Sequence, residues 1–492
     1  MTSPRDILDR LAALGVVPSG VADDSRQVVP GDLFLAYPGD LADGRRYIAD
    51  ALARGAVAVL WQPGGDFAWN PAWTAPQLAL PALRPLAGPL AHAVYGHPSD
   101  ALSLIAVTGT NGKTTISQCI ARVHPQRCAV IGTLGAGFPE AQTETGFTTP
   151  EATTLMRYLA RFRADGAGAC ALEASSIGIE EGRMNGVRVD VAVFSNFTRD
   201  HLDYHGTMEA YAAAKEKLFA WPRLRTAIIN LDDALGRKLV RETTASRVLG
   251  YAIGEPDRDF PARVRAEGLV ETATGQLFTL VLPNGRVEVE TGLVGRYNVS
   301  NLLAVAAVLY DAGLAADEVA RQLAGLTPPP GRLERVGGHG EPLVVVDYAH
   351  SPDALDNALA ALRPVADARG GRLAVVFGCG GDRDKGKRPQ MGAIAEQRAD
   401  RVLVTSDNPR SEVPQAIIAD ILAGMRDGCA EVDRAAAIER AVAEAAAADV
   451  ILIAGKGHES YQEVAGIRTH FSDVEAALAA LTRRREALEE KA

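Results

Sequence analysis

Cysteine is scarce and scattered. Five residues with no C-x-x-C pair argue against a zinc-binding scaffold and against a disulfide framework. Long apolar runs are absent: no stretch is long enough to cross a bilayer, and the opening M-T-S-P-R-D-I-L-D-R has no apolar signal core. These absences lead us to expect a protein of a reducing cytoplasm, without membrane insertion. Positive charge is also in deficit. The 51 Lys and Arg against 61 Asp and Glu leave a net charge of −10, which argues against non-specific nucleic-acid binding. Any anionic ligand must therefore be held by basic residues gathered locally. There is no repeat at solenoid spacing and no low-complexity segment. A length of 492 residues accommodates about three domains with cores of ordinary size.

What is present is densest between Ala106 and Thr115, A-V-T-G-T-N-G-K-T-T. The apolar run Leu102 to Val107 leads into it, and a helical segment, Ile116 to Arg122, follows. Gly109 and Gly112 let the backbone wrap closely around an anion. The N–H groups of a turn running through Thr110, Asn111 and Thr115 into a helix N-terminus can then hold it. Lys113 adds a mobile cation for the outer phosphates of a nucleotide, and Thr114 offers a hydroxyl to Mg2+. The match to a Walker A loop is incomplete, because its usual first glycine falls at Val107. The plainer alternative is an ordinary strand–turn–helix corner bearing a surface lysine.

H-P-S-D (97–100) and T-P-P-P-G-R (327–332) punctuate the chain, since three successive prolines cannot continue a helix. They divide it into 1–98, 99–330 and 331–492. Within each part short apolar runs alternate with helical stretches, so the expected class is α/β throughout. We expect a small α/β N-terminal domain, a central P-loop-type domain with a mainly parallel sheet and flanking helices, and a doubly wound C-terminal domain. The stretch 245–295 reads as irregular or antiparallel β structure. In the last domain four apolar runs end in polar clusters: D-Y-A-H (347–350), G-C-G-G-D-R-D-K-G-K-R (378–388), S-D-N-P-R (406–410) and G-K-G-H-E (455–459). Ligands of parallel α/β sheets bind beyond the carboxyl ends of the strands, so these four clusters are expected to converge.

Single residues carry less. Glu173 ends an apolar strand, where its carboxylate can hold Mg2+. His201 and His205, in D-H-L-D-Y-H, follow another strand end. Lys215 lies in the helical run Y-A-A-A-K-E-K-L-F and, on sequence alone, reads as a surface lysine. Ser25 and Arg26 suit an anionic ligand or simply a solvated turn. Arg383 and Arg410 sit in loops shaped by glycine or proline, where guanidinium groups can grip carboxylate or phosphate in two-point fashion. With Asp407 and Glu459 available for an ammonium group, they suit a small zwitterion.

Taken in order, D-S-R (24–26), T-G-T-N-G-K-T-T (108–115), T-T-P (148–150), E-A-S-S (173–176), N-F-T-R-D-H-L-D-Y-H (196–205), G-R-Y-N-V-S-N (295–301), P-G-R-L-E (330–334), D-Y-A-H-S-P-D (347–353), D-N-P-R (407–410) and G-K-G-H-E (455–459) resemble the Mur ligase family over essentially the whole chain. The resemblance implies a first domain for a uridine nucleotide, a central ATP domain and a Rossmann-like last domain that brings an amino acid. It implies an ATP- and Mg2+-dependent ligase acting through an acyl phosphate. A folylpolyglutamate-type ligase would lack D-N-P-R and the D-S-R-bearing first domain, and a P-loop switch without ligase activity would leave the four strand-end clusters idle. The expected substrates of the implied ligase are UDP-N-acetylmuramoyl-L-alanyl-D-glutamate and meso-diaminopimelate, and a monomer is expected. Carried over by motif, Thr114, Glu173 and a carbamylated Lys215 would serve Mg2+, with Lys113 and His201 at the reaction centre. Asn298, Arg332 and Asp347 would contact ATP. Ser25, Thr148, Thr149, Ser175 and Arg183 would hold the muramoyl dipeptide. Arg383, Asp407, Asn408, Pro409, Arg410, Gly455 and Glu459 would hold diaminopimelate. Ile177 and Glu181 depart from the His and Gln of the family pattern.

Overall fold

Alternating apolar runs and helices become three sheets in this computed structural model, which describes residues 3–39, 42–254, 259–272, 275–338 and 340–489. The extreme ends of the first and last expected domains, 1–2 and 490–492, lie outside the described residues. The first sheet is parallel and four-stranded, in the order Gly20–Ala22, Asp32–Ala36, Ala58–Trp61 and Gln77–Ala79.

The central sheet has eleven strands among the described residues. Its parallel heart places Ser103–Thr108 between Val191–Phe194 and Ala169–Glu173. Side chains alternate across it: Leu104 and Ala106 enter one core, Ile105 and Val107 the other. The first core continues into the N-terminal sheet through Leu33, Leu35 and Leu60. Helices Lys113–Val123 and Arg296–Asp311 cover the opposite face. The stretch 245–295, expected to be irregular or antiparallel, is parallel in its first half. Arg247–Ile253 and Val264–Glu271 extend the parallel sheet, and only Gln276–Leu282 and Gly285–Thr291 run antiparallel.

The C-terminal sheet runs Glu334–Gly337, Leu343–Asp347, Val450–Ala454, Leu373–Phe377, Arg401–Val404 and Cys429–Ala430. The four expected strands are its parallel middle, and two short strands close its edges. A separate hairpin, Tyr461–Val464 with Ile467–His470, follows before helix Asp473–Glu489.

The joint between first and central domains is a hydrogen-bonded chain. The Ser99 hydroxyl accepts the Arg188 N–H at 3.0 Å and meets His92 Nε2 at 2.8 Å, while His92 Nδ1 meets His97 Nδ1 at 3.1 Å. With one hydrogen on each link both rings are partnered, so the two histidines read as a structural joint. Among the described residues no helix is long and apolar enough to cross a membrane.

Candidate active site

Strand register builds the site. Val107 pairs with Glu173 and Thr108 with Phe194, so the loop after Thr108 emerges beside the Glu173 carboxylate and the Ser195–Asn196 turn. Gly109 (φ +148°) lies so close to that turn that a Cβ would sit 1.9 Å from Ser195 Oγ. Gly112 (φ +87°) is similarly pressed against Asn301 Oδ1, at 2.4 Å from a notional Cβ. Both positions therefore require glycine for conformation and for space. Ser195 Oγ donates to Asn111 O at 2.6 Å, and the Asn111 N–H donates to Asn196 Oδ1 at 2.9 Å. Thr110 Oγ1 donates to Thr198 O at 3.1 Å. The loop is thus shaped before any ligand arrives.

Two lysines converge on one oxygen of this loop. Lys113 Nζ donates to Gly109 O at 2.9 Å and to Thr110 O at 2.8 Å, and Lys215 Nζ donates to the same Gly109 O at 2.8 Å. The surface reading of Lys215 is overturned: the residue is 1% exposed and its Nζ lies 4.4 Å from the Tyr211 ring centroid. Helix Met208–Glu216 turns this face inward, with Tyr211 and Ala214 buried alongside. Burial, reinforced by the Lys113 charge, pushes the Lys215 ammonium well below its ordinary pKa. Burial also lowers Lys113, against the pull of Glu173.

Glu173 is fully buried and accepts only from neutral donors among the hydrogen bonds found: Thr114 Oγ1 at 3.1 Å, Thr133 Oγ1 at 3.1 Å and the Thr133 N–H at 3.0 Å. A carboxylate with no ammonium or guanidinium on it, beside a loop hydroxyl, is a suitable oxygen ligand for Mg2+. Thr133 had no motif to mark it. Beyond it, Thr133 Oγ1 meets Thr148 Oγ1 at 3.1 Å, and Thr149 Oγ1 donates to Glu173 O at 2.7 Å. Ser175 caps the short helix Ser176–Glu180 and lies 3.0 Å from Thr149 Oγ1. Arg183 Nη1 donates to Thr149 O at 3.0 Å, and its guanidinium pairs with Glu181 at 2.5 Å. The departure at 181 therefore places a carboxylate on Arg183.

His201, in the left-handed region (φ +52°), shares Asp200 with His350 at 3.6 and 3.7 Å. Burial lowers His201 to about 4, so its ring is neutral near pH 7. Burial opposes the charge on Asp200, yet His350 and His201 hold its carboxyl well below the usual range. His205 is turned away to Ser176 Oγ at 3.0 Å.

The C-terminal domain docks over the loop. Arg332 Nη2 donates to Thr114 Oγ1 at 3.1 Å and its guanidinium stacks 4.5 Å from the Tyr348 ring centroid. Asn111 Nδ2 donates to Asp353 Oδ2 at 2.9 Å. Asp347 accepts the Leu333 N–H at 2.7 Å, and burial raises its pKa. Asn298 Nδ2 caps back to Val294 O at 2.9 Å and its Oδ1 accepts from Asn301 at 3.2 Å. Together these surfaces enclose a cavity of about 540 Å3, lined by residues that include Lys113, Glu173, Lys215, Asn298, Arg332 and Arg383.

Not every expected residue lines it. Ser25 is buried in a turn of the first domain, and Arg26 is exposed and paired with Asp24. Asp407, Asn408, Arg410, Gly455 and Glu459 form a second cluster. Asn408 Nδ2 donates to Glu459 Oε2 at 2.8 Å, and the fully buried Lys456, which carried no role in the sequence reading, donates to Asn408 Oδ1 and Glu459 Oε2, both at 3.1 Å. A Cβ on Gly455 would lie 2.5 Å from Asp407 Oδ2. Pro409 precedes Arg410, whose Nη1 donates to Gly381 O at 2.8 Å. Gly380 links the two sets: its notional Cβ lies 2.9 Å from Arg410 Nη1 and 3.7 Å from Arg383 Cγ. Arg383 in turn reaches Asp203 of the central domain at 3.5 Å.

Three family descriptions match the chain in succession: a Mur ligase family catalytic domain over 19–95, a Mur ligase middle domain over 107–309 and a Mur ligase glutamate ligase domain over 331–457. Among curated relatives, the UDP-N-acetylmuramoyl-L-alanyl-D-glutamate–2,6-diaminopimelate ligase of Chromobacterium violaceum is 51% identical over 479 residues, 96% of each chain. The like-named protein of Pseudomonas aeruginosa is 49% identical over 468 residues, covering 93% of this chain and 94% of that one. A solved structure of an enzyme with that name superposes with a TM-score of 0.67 at 39% identity, over 95% of both chains. A MurF ligase from Thermotoga maritima reaches the same TM-score of 0.67 at 19% identity, over 96% and 98%, a likeness of fold.

Proposed function

The chain belongs to the Mur ligase family, and from that premise we propose that it joins meso-2,6-diaminopimelate to UDP-N-acetylmuramoyl-L-alanyl-D-glutamate with consumption of ATP, a step of peptidoglycan precursor synthesis. The observation that carries the reading is the meeting of Lys113 and Lys215 on Gly109 O, beside the Glu173 carboxylate and beneath a docked C-terminal domain. It is a site for concentrated negative charge.

The phosphate loop and Lys113 bind the ATP phosphates. The side-chain carboxylate oxygen of the D-glutamyl residue attacks the γ-phosphorus, and the bond from that phosphorus to the β–γ bridging oxygen breaks, releasing ADP. The acyl phosphate so formed has a good leaving group where the carboxylate had none. The neutral amine of diaminopimelate adds to the acyl carbon and loses a proton. The tetrahedral species collapses with loss of inorganic phosphate. Lys113 shields charge on the transferring group, and the docked domain excludes water that would hydrolyse the acyl phosphate.

Thr114 and Glu173 would hold one Mg2+, and a carbamylated Lys215 a second; bound there, the ions would neutralise phosphate charge and align its oxygens. The residues fit. Glu173 has no cationic partner in its hydrogen bonds, and Lys215 is a buried amine held toward its neutral, nucleophilic form beside another lysine. Addition of that neutral amine to CO2 with loss of a proton would turn it into a carboxylate-like carbamate. His201, neutral by burial, would orient this region without adding charge.

Thr148, Thr149, Ser175 and Arg183 would receive the muramoyl dipeptide, with Ser25 on the nucleotide side. Arg383, Asp407, Asn408, Arg410, Gly455 and Glu459 would receive diaminopimelate. Arg410 would pair with the distal carboxylate that distinguishes it from lysine, and lysine would leave the guanidinium without that partner. The test is phosphate release from ATP by the full chain. Release that requires both the UDP-muramoyl dipeptide and diaminopimelate is expected; release indifferent to both would overturn the reading.

A further inference from the structure

The hairpin Tyr461–Val464/Ile467–His470 lies beyond the strands and motif loops that form the site, and its sequence, Y-Q-E-V-A-G-I-R-T-H, carries no recognisable ligand chemistry. Yet it is laid along D-N-P-R and bonded to Asp407, Asn408 and Arg410. Gln462 Nε2 donates to Asp407 O at 2.7 Å. The Glu463 N–H donates to Asn408 Oδ1 at 2.9 Å. The Arg410 N–H donates to Glu463 O at 3.0 Å, and the Ala465 N–H donates to Arg410 O at 2.7 Å. Arg410 and Val464 thereby form a parallel bridge.

Arg410 needs such support. Its φ of +52° is in the left-handed region, where an L-residue with a Cβ is disfavoured and persists only when its surroundings over-determine it. Both of its backbone hydrogen-bonding groups are taken by the hairpin. The hairpin's own turn, Ala465 (φ +50°) and Gly466 (φ +77°), has the two positive φ values of a type I′ connection, and Ala465 is the residue that caps the Arg410 carbonyl. Outside the cluster, Arg468 braces the strand by pairing with Glu463 at 3.0 Å and stacking 4.4 Å from the Tyr461 ring centroid.

We propose that this hairpin is the template that sets the backbone of D-N-P-R, and that Gln462 is a positioning residue for recognition of the distal carboxylate of the incoming amino acid. The inference rests on the ligase reading above. Gln462 does not itself touch the amino acid; it fixes the carbonyl of Asp407, three residues before Arg410, while the backbone bonds of its neighbours fix Asn408 and Arg410. A small displacement of that frame moves the guanidinium off its two-point geometry and leaves the ATP and muramoyl-peptide surfaces, on other loops, untouched.

The experiment is steady-state kinetics on the full chain carrying Gln462→Ala or Gln462→Glu. The alanine variant removes the donor alone, and the glutamate variant keeps the shape but turns a carboxylate oxygen toward the Asp407 carbonyl; the strand is partly exposed. The alanine variant is expected to raise KM for diaminopimelate about fivefold, the effect of one lost hydrogen bond, and the glutamate variant at least as much, with kcat at saturation and the KM values for ATP and the UDP-muramoyl dipeptide unchanged. Because lysine lacks the distal carboxylate that Arg410 would meet, kcat/KM for lysine, supplied at high concentration as the alternative amine, is expected to fall less than that for diaminopimelate, so that discrimination narrows. Unchanged kinetics with diaminopimelate, an equal loss with lysine, or a fall in kcat with all three KM values unmoved would overturn the proposal. A wild-type chain that ligates no diaminopimelate would instead overturn the ligase reading, so the two failures are distinguishable.

Discussion

Replacing Arg434 by methionine tests how the amino-acid loops are held from behind. Arg434 and Asp473 are each the first residue of a helix and both are completely buried. Arg434 Nε and Nη2 bond the two Asp473 oxygens at 2.7 Å each. Its remaining donors hold Ser406 O at 3.2 Å and Ala454 O at 2.9 Å. Ser406 and Ala454 are the residues immediately before D-N-P-R and G-K-G-H-E, so one guanidinium ties the roots of two loops. Arg434→Met leaves Asp473 charged without its partner and two carbonyls without donors. Breaking such a buried pair costs about 3–5 kcal/mol. In a domain of this size that is a fall in Tm of about 10 °C, at roughly 2–4 °C per kcal/mol. The assay is differential scanning calorimetry of the full chain, with diaminopimelate KM measured below the transition. The double change Arg434→Met with Asp473→Leu removes the stranded charge and should recover most of the Tm while leaving KM raised. The reasoning is refuted if Arg434→Met lowers Tm by less than about 2 °C, or if the double variant is no more stable than the single one.

Other outcomes follow from the same geometry. Lys215→Ala should abolish ligation, Lys215→Glu should restore part of it without dependence on bicarbonate, and CO2-depleted buffer should inactivate only the wild type; a fully active Lys215→Ala chain would remove Lys215 from the site. Arg410→Ala should raise diaminopimelate KM by tens of fold, about 2–3 kcal/mol for a half-buried charged contact, with ATP KM unmoved; near-normal kinetics would sink the assignment. Glu412 is lowered from 4.5 to about 2, chiefly by its hydrogen bonds from the buried Arg388. A carboxyl with a depressed folded pKa contributes stability above its unfolded value and loses it as pH falls through the folded one. Urea midpoints of the wild type should therefore decline between about pH 4.5 and 2 more steeply than those of Glu412→Gln, and parallel curves would contradict this.

Much of the site was legible because it is written in short-range constraints. Gly109 and Gly112 mark positive φ and close approach, Pro409 shapes the loop before Arg410, and polar clusters at the ends of apolar runs mark the carboxyl edge of a parallel sheet. Lys215 was misread because Y-A-A-A-K-E-K-L-F is an excellent helix whichever face it turns outward. Thr133 was missed because one threonine after a strand has no signature until Glu173, 40 residues away, is brought against it. Arg434, Lys456 and Gln462 were missed for the same reason: each acts on a loop far from it in sequence.

The sequence by itself determined the α/β class, the order of three units, the phosphate loop and the D-N-P-R loop, since backbone dihedrals and strand periodicity depend on near neighbours. Only the tertiary structure decided which lysine is buried against Gly109 O, how Arg332 closes on Thr114, and that a hairpin without a motif holds Arg410 in a left-handed conformation. Those outcomes depend on packing between segments distant along the chain, where burial, and the charge state that follows from it, is a property of the assembled surfaces.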